Sequence, residues 1–134
     1  MSPERVIQIW FATRKHETFK KYLKEEGFKY LGCGRTSEVF TRRDVNFVVK
    51  VGKGCVTRKF KEPELEKFRL PYLFVNGNRS VGIQHKVRRN KESKYRAFRI
   101  INNAVPPDVF LDNYDIHQDN VGWLNRKPVI FDYK

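Results

Sequence analysis

The chain has 134 residues, 40% hydrophobic and 14% aromatic, with 28 Lys and Arg against 15 Asp and Glu and a formal net charge of +13. This length and composition predict one folded domain and exclude a disordered low-complexity chain, and no apolar run approaches the ~18 residues of a membrane span. The positive charge predicts attraction to an acidic partner, whether a nucleotide, a nucleic acid or an acidic protein face.

The N-terminal part of the chain predicts one amphipathic helix. Residues 13–26 are rich in Lys and Glu, and Phe19, Tyr22 and Leu23 recur at helical spacing. Gly27 follows directly, where a glycine commonly ends a helix. We therefore expect a single helix ahead of the rest of the fold.

Five strands with one inserted helix are predicted next. Alternating or β-branched runs predict strands at residues 28–32, 37–41, 46–51, 72–75 and 81–87. A helix is expected between the third and fourth strands, because Pro63 suits a first turn and Pro71 would end it. The turn at residues 76–78 has the Asn-Gly-Asn sequence of a hairpin.

The remaining chain predicts a small helical part and a final hairpin. Residues 88–94 are expected to be a basic connector and residues 95–104 a short helix. An acidic loop at 112–120 precedes two further strands, at 121–124 and 128–131. The whole order predicts an α+β fold.

A glycine-containing turn and a strand-end lysine are the first candidate functional features. Gly32 and Gly34 lie in a Gly-x-Gly-x-x-Ser-x-Val run, and glycines let backbone N–H groups approach phosphate oxygens. Such a run is also common in ordinary hairpins. Lys50 ends an apolar strand, where its stem would be buried and its ammonium near a pocket, although one lysine among many can equally face solvent.

Acidic and amide residues near the end of the chain form the second candidate. Asp115 and Asn120 are five residues apart, and Asp132 follows an apolar strand. Their oxygens are of the kind that Mg²⁺ takes beside substrate phosphates. The alternative is that Asp and Asn only mark turns here.

The order of these motifs resembles the protein-kinase-like superfamily. A glycine-rich hairpin, a strand lysine, an acidic helix, a hairpin, an Asp-x-x-x-x-Asn motif and an apolar strand ending in Asp cover residues 28–132. The chain looks most like the compact, divergent kinases of tailed bacteriophages and related small-molecule kinases. The resemblance implies a minimal protein-kinase-like fold, with a helical extension (1–27), a five-stranded antiparallel N-lobe sheet with one inserted helix (28–87) and a strongly reduced C-lobe (88–134).

The resemblance also implies a set of site residues and two cofactors, ATP and Mg²⁺. The residues that match the nucleotide-binding positions are Gly32, Gly34, Ser37, Val39, Val48 and Lys50. Among them Val48 would contact adenine and Lys50 the α- and β-phosphates. Asp115 matches the aspartate that accepts the proton of the attacking hydroxyl, and Asn120 and Asp132 match the two magnesium ligands.

The glutamate that should pair with the lysine is ambiguous among Glu62, Glu64 and Glu66. In a helix, a glutamate and the residue four later share a face. Glu64 would then share a face with Phe68, or Glu66 with Leu70, whereas Glu62 would have no apolar partner. The distance back from Pro71 favours Glu64. Two departures from the family pattern are Asn113, where a histidine is usual, and the tyrosine that follows the last aspartate.

The sequence leaves three functions open. The favoured one is an ATP- and magnesium-dependent phosphotransferase acting on a hydroxyl, for which a partner or second copy would supply the substrate platform. The second is a weak or inactive kinase-like protein that binds an acidic host partner or nucleic acid through the cations clustered at residues 42–61 and 86–99. The third is a metal-dependent nuclease built on Asp112, Asp115, His117 and Asp119.

The cysteines and the N-terminal residues predict where in the cell the protein is located. Cys33 and Cys55 form no Cys-x-x-Cys pair and argue against a disulfide scaffold or a zinc site. They are expected to be free thiols in a reducing cytoplasm. Residues 1–11 lack the basic-then-apolar order of a secretion signal. We therefore predict a cytoplasmic protein, located in the host cytoplasm if it is viral.

Overall fold

The computed structural model describes residues 1–33, 37–53 and 60–131, without the side chain of Cys33. These residues form four α-helices, a five-stranded antiparallel sheet and a separate two-stranded hairpin, so the predicted α+β class is confirmed. They divide into two compact units, residues 1–33, 37–53 and 71–85 in the first and 60–70 and 86–131 in the second. Within the described part of the chain, no helix is both long and apolar enough to span a bilayer.

Two helices, rather than the single predicted one, begin the first unit: α1 (Pro3–Thr13) and α2 (His16–Glu25). The prediction missed α1, although its signals are local. Ser2 caps the helix by accepting a hydrogen bond from the Arg5 N–H, a proline occupies the first turn, and Val6 recurs with the next buried residues at helical spacing.

The second helix starts later than predicted because the chain turns sharply between the two. Arg14 has a left-handed backbone (φ 57°), and its N–H closes α1 by donating to the Trp10 carbonyl. Gly27 follows α2 with φ +90°, and its N–H donates to the Lys24 carbonyl. This confirms the predicted glycine at the helix end.

The five predicted strands are all confirmed. They are β1 (Lys29–Cys33), β2 (Glu38–Thr41), β3 (Phe47–Val51), β4 (Tyr72–Val75) and β5 (Val81–His85). Every neighbouring pair is antiparallel, and the spatial order is β1-β2-β3-β5-β4, which makes β3 the middle strand. One sheet face carries Phe40, Phe47 and Val49, which join buried residues of α1 and α2 in a single core.

The helix inserted between β3 and β4 is shorter than predicted. α3 spans only Pro63–Glu66. The prediction that it continues to Pro71 is wrong, because residues 68–70 pair with the chain around Ile130: the Leu70 N–H donates to the Ile130 carbonyl, and the Ile130 N–H donates to the Phe68 carbonyl. The helical-face argument that placed Glu64 beside Phe68 therefore does not apply.

The second unit is built on α4 (Lys91–Ala104) and the hairpin of β6 (Val121–Leu124) and β7 (Lys127–Ile130). α4 begins four residues before the predicted start, because Asn90 and Ser93 form a reciprocal capping box. Two 3₁₀ turns lie between α4 and β6. The buried core of this unit comprises Leu65, Ala97, Ile101, Leu111, Ile116, Val121 and Ile130.

Candidate functional site

The predicted nucleotide-binding residues of the first unit lie on one face of the sheet. Side chains alternate along a strand, so Val48 and Lys50 lie on the face opposite the helix-covered core. Val39 stands directly opposite Lys50 on β2, and Gly32 stands opposite Val39 on β1. Opposed residues share a face in an antiparallel pair. Gly32, Val39 and Lys50 therefore form one row across three strands, with Val48 beside it.

Lys50 is the most unusual residue of this face. Its side chain is 1% exposed, and Val39 and Val48 are buried around it. A lysine is almost never fully buried without polar partners, because the interior solvates an ammonium poorly. Its Nζ donates to the Tyr72 hydroxyl at 3.1 Å and lies 5.5 Å from the Tyr72 ring centroid.

The lysine reaches Tyr72 because of the strand order. β5 separates β3 from β4, and its residue opposite Lys50 is Gly82, which has no side chain to occupy the space between them. Gln84, 2% exposed, lies on the same face opposite both Val48 and Tyr72. The face therefore combines an apolar patch with buried polar groups. Sequence reasoning missed Tyr72, since only the pairing of β4 with β5 brings it here.

Ser37 and Gly34 are the remaining predicted nucleotide-binding residues. Ser37 is half-buried immediately before β2. Gly34 lies outside the described residues, as does the predicted magnesium ligand Asp132, so both assignments stay predictions. Of the two cysteines predicted to be free thiols, Cys55 also lies outside the described residues.

The loop between α4 and β6 brings Asp115 and Asn120 together. Asp115 ends the 3₁₀ turn Leu111–Tyr114 with a left-handed backbone (φ 58°), and its carboxylate is 98% exposed. The Asn120 side chain closes the loop, because its Nδ2 donates to the Asp115 carbonyl at 2.7 Å and its Oδ1 accepts the His117 N–H at 2.8 Å. Ile116, buried between them, anchors the loop in the core of the second unit.

Two oxygen groups of this loop are of the chemical kind that binds a hard cation. The Asn120 carbonyl oxygen has a second lone pair beside the one that accepts from His117. The Asp115 carboxylate is exposed to solvent. Both are oxygen ligands of the kind that Mg²⁺ prefers. The described residues thus include one of the two predicted magnesium ligands, held by a short hydrogen-bonded loop.

The nuclease alternative required a cluster of four side chains that the structure does not form. Asp112, Asp115, His117 and Asp119 all lie in the described loop, yet no group of three His, Cys, Asp or Glu within the described residues is arranged to hold a metal. Asp119 instead forms an ion pair with Lys94 at 2.7 Å, and this hydrogen bond lowers the pKa of Asp119. The described residues therefore give no support to this ligand set, and the nuclease alternative stays a prediction.

Two of the three candidate glutamates are engaged within the second unit. Glu66 accepts the Phe60 N–H at 2.7 Å and pairs with Arg69 at 3.3 Å. Glu62 accepts a long hydrogen bond from the Tyr114 hydroxyl at 3.5 Å; burial and, secondarily, the Glu62 charge raise the pKa of Tyr114. Glu64 is half-buried on α3. Its pairing with Lys50 stays a prediction.

Asn120→Ala is expected to destabilise the loop in the absence of any ligand. It removes two short hydrogen bonds that hold Asp115 and His117. We expect the free energy of unfolding to fall by roughly 1–2 kcal/mol, measured by urea denaturation. Asn120→Asp retains the acceptor for His117 and loses only the donor, so its loss should be smaller. Equal stability of wild type and Asn120→Ala would show that these bonds contribute nothing to the loop.

Comparison of the chain with protein-family models, curated protein sequences and solved structures finds no match.

Proposed function

We propose that the chain is a protein-kinase-like phosphotransferase that moves the γ-phosphoryl group of ATP to a hydroxyl group, with Mg²⁺ as cofactor. The observation that carries the proposal is the burial of Lys50 at the middle of an antiparallel sheet, in one row with Val39 and Gly32 and beside Val48. Burial of the Lys50 ammonium costs free energy on folding, and a charge that is retained at such a cost indicates that the function requires it.

The sheet face carries the two kinds of side chain that the proposal requires. Val39 and Val48, both buried, are the apolar side chains proposed to contact the purine ring, and Lys50 is the positive charge proposed to meet the α- and β-phosphates. The ammonium is shielded from bulk water, and a charge acts more strongly on a phosphate in such surroundings. The Tyr72 hydroxyl keeps the ammonium oriented by accepting a hydrogen bond from it.

Asp115 is the proposed group that receives the proton of the attacking hydroxyl. The hydroxyl oxygen forms a bond to the γ-phosphorus while the bond from that phosphorus to the β,γ-bridging oxygen breaks, so ADP leaves and the hydroxyl proton passes to the Asp115 carboxylate. Asp115 is exposed, and Asn120 fixes its backbone. Mg²⁺, held by Asn120 and Asp132, would neutralise phosphate charge when bound.

The order of elements further supports this proposal. A glycine-bearing hairpin, the lysine strand, the acidic helix α3 and the β4–β5 hairpin follow one another before the Asp115 loop. This is the order that the kinase resemblance implies. The short α3 departs from it, and α1 has no counterpart in the expected arrangement.

Nucleotide binding and phosphotransfer are tested together on the purified full chain. With ATP and Mg²⁺ at about 100 times the dissociation constant, the folded state gains ~2.7 kcal/mol, so the melting temperature should rise with ligand concentration. With γ-labelled ATP, label should appear on the chain itself or on a protein in a host extract. Absence of both the thermal shift and the label would overturn the proposal, and a shift without label would retain only nucleotide binding.

A further inference from the structure

A concave site lies wholly within the second unit, and its lining includes none of the residues proposed for phosphotransfer. It is a cavity of about 680 Å³ between the start of α4, the chain before it and the β6–β7 turn. Its lining includes Arg88, Arg96, Arg126 and Trp123, together with Glu92 as the one acidic residue. Among the described residues, none of these three guanidinium groups is in an ion pair. Three guanidinium groups against one carboxylate leave the cavity lining with a net positive charge, which indicates a site for an anionic ligand.

Backbone pairing fixes two of these residues side by side. Arg88 and Trp123 exchange both N–H···O=C hydrogen bonds, at 3.0 and 3.1 Å, as an antiparallel bridge next to β6. Opposed residues in such a pair point to the same face. The close approach requires Gly122 in β6, because a Cβ there would come within 2.8 Å of the Arg88 carbonyl oxygen. The indole is also fixed, since its Nε1 donates to the Ser93 carbonyl at 2.6 Å.

The third arginine occupies a position that favours another residue. Asn125 and Arg126 form the two-residue turn of the β6–β7 hairpin, with φ values of 50° and 66°. Turns with two positive φ angles prefer Asn-Gly, because glycine adopts the left-handed region without a steric penalty. An arginine at the glycine position is strained, and the strain at this exposed turn is consistent with a function for the side chain.

Further Lys and Arg residues lie outside the cavity, and they indicate that the ligand is larger than a single phosphate. Residues 86–99 carry seven Lys and Arg and one Glu. Lys91, Tyr95 and Arg99 are exposed at successive four-residue steps along α4, and the Arg99 guanidinium lies 5.9 Å from the Tyr95 ring centroid. A single phosphate would use only the cavity. A ligand with many phosphates in sequence would use the whole strip, and aromatic rings beside cations suit unpaired bases.

We propose that the Arg88–Arg96–Arg126 cavity, with Trp123, binds one nucleotide of a single-stranded nucleic acid whose backbone continues along α4. The guanidinium groups contact phosphate oxygens, and the indole presents an aromatic surface to a base. A duplex fits less well, because its bases are stacked inside and leave only phosphates to reach the cavity. This site is independent of the proposed phosphotransferase residues.

The test compares two arginine variants by fluorescence anisotropy with labelled single-stranded 12-mers of RNA and of DNA at 100 mM salt. Arg126→Gly is expected to weaken binding at least about fivefold and to reduce the salt slope by ~0.7, the value for one lost phosphate contact on a single strand. Arg79→Gly is the matched control, because it removes the same charge from another turn position with positive φ (61°) outside the cavity. It should weaken binding less than about twofold, the effect of net charge alone.

Three further measurements make the outcome decisive. Arg126→Gly should melt at a higher temperature than the wild type, because it relieves backbone strain, so weaker binding cannot be attributed to unfolding. Oligonucleotide should quench tryptophan fluorescence, and this would report Trp123, since Trp10 is only 6% exposed. Arg126→Gly should leave the thermal shift with ATP unchanged, which separates this proposal from the phosphotransferase.

Several results would overturn the proposal. Equal losses of affinity in Arg126→Gly and Arg79→Gly would show general charge attraction without a site. Competition by polyglutamate as strong as that by the oligonucleotide would indicate an acidic protein partner. Competition by free AMP at the affinity of the oligonucleotide would indicate a mononucleotide site, and absence of binding at low salt would exclude nucleic acid altogether.

Discussion

Lys50→Met should lower phosphotransfer at least about 100-fold while the chain remains folded. The substitution removes the charge that would lie against the phosphates and keeps an unbranched side chain of similar length. Because Lys50 is 1% exposed, folding of the wild type bears the cost of desolvating its ammonium, and methionine avoids that cost. The hydrogen bond that the Lys50 Nζ donates to the Tyr72 hydroxyl is among the interactions lost with the ammonium.

Activity and stability must be measured on the same preparations. Phosphotransfer is followed with labelled ATP, nucleotide binding by thermal shift, and stability by urea denaturation. Lys53→Met is the matched control, since Lys53 follows β3 closely and is exposed, so it should change activity less than about twofold and stability by less than ~0.5 kcal/mol. Full activity of Lys50→Met would refute the proposed nucleotide site. A stable but inactive variant would separate the functional role of the lysine from a structural one.

Asp115→Asn should lower phosphotransfer roughly 100-fold or more without loss of ATP binding, because the amide cannot accept the hydroxyl proton. Asparagine is a better replacement than alanine at this position. Asp115 has φ 58°, and Asn adopts that left-handed region nearly as readily as Asp, whereas alanine would add backbone strain. The carboxylate is exposed, so the variant should fold as the wild type does.

Asp112→Asn provides the control for this second substitution. Asp112 is an exposed carboxylate in the same loop, three residues earlier, and its removal changes the net charge equally. It should retain at least about one third of the wild-type rate. Similar losses in both variants would mean that the loop acts only through its charge, and an active Asp115→Asn would remove Asp115 from the proposed mechanism.

Much of the first unit was predictable because its signals are local. The five strands follow from alternating apolar residues and glycine or asparagine turns, and each lies within two residues of its predicted bounds. The same alternation places Val48 and Lys50 on one face. Helix α1 was not predicted, although the Ser2 cap and the spacing of Val6 and its buried neighbours are local signals in the sequence.

The second unit was less predictable because pairing between distant segments decided its structure. Residues 68–70 have a helical pattern, yet they become extended because their backbone bonds to Ile130, about sixty positions away. The ion pair of Asp119 with Lys94 on α4 is of the same kind, since it joins residues 25 positions apart. Sequence spacing contains no information on such pairings, because they depend on which elements pack together.

The sequence by itself determined the α+β class, the strand that carries Lys50 and the turns around it, because side-chain alternation and turn chemistry act over a few residues. Only the tertiary structure decided that Lys50 is buried against Tyr72, that α3 ends at Glu66, and that Arg88, Arg96, Arg126 and Trp123 line one cavity. Each of these depends on strand order or on backbone pairing between segments far apart in the chain, where the free energy of packing overrides local preference.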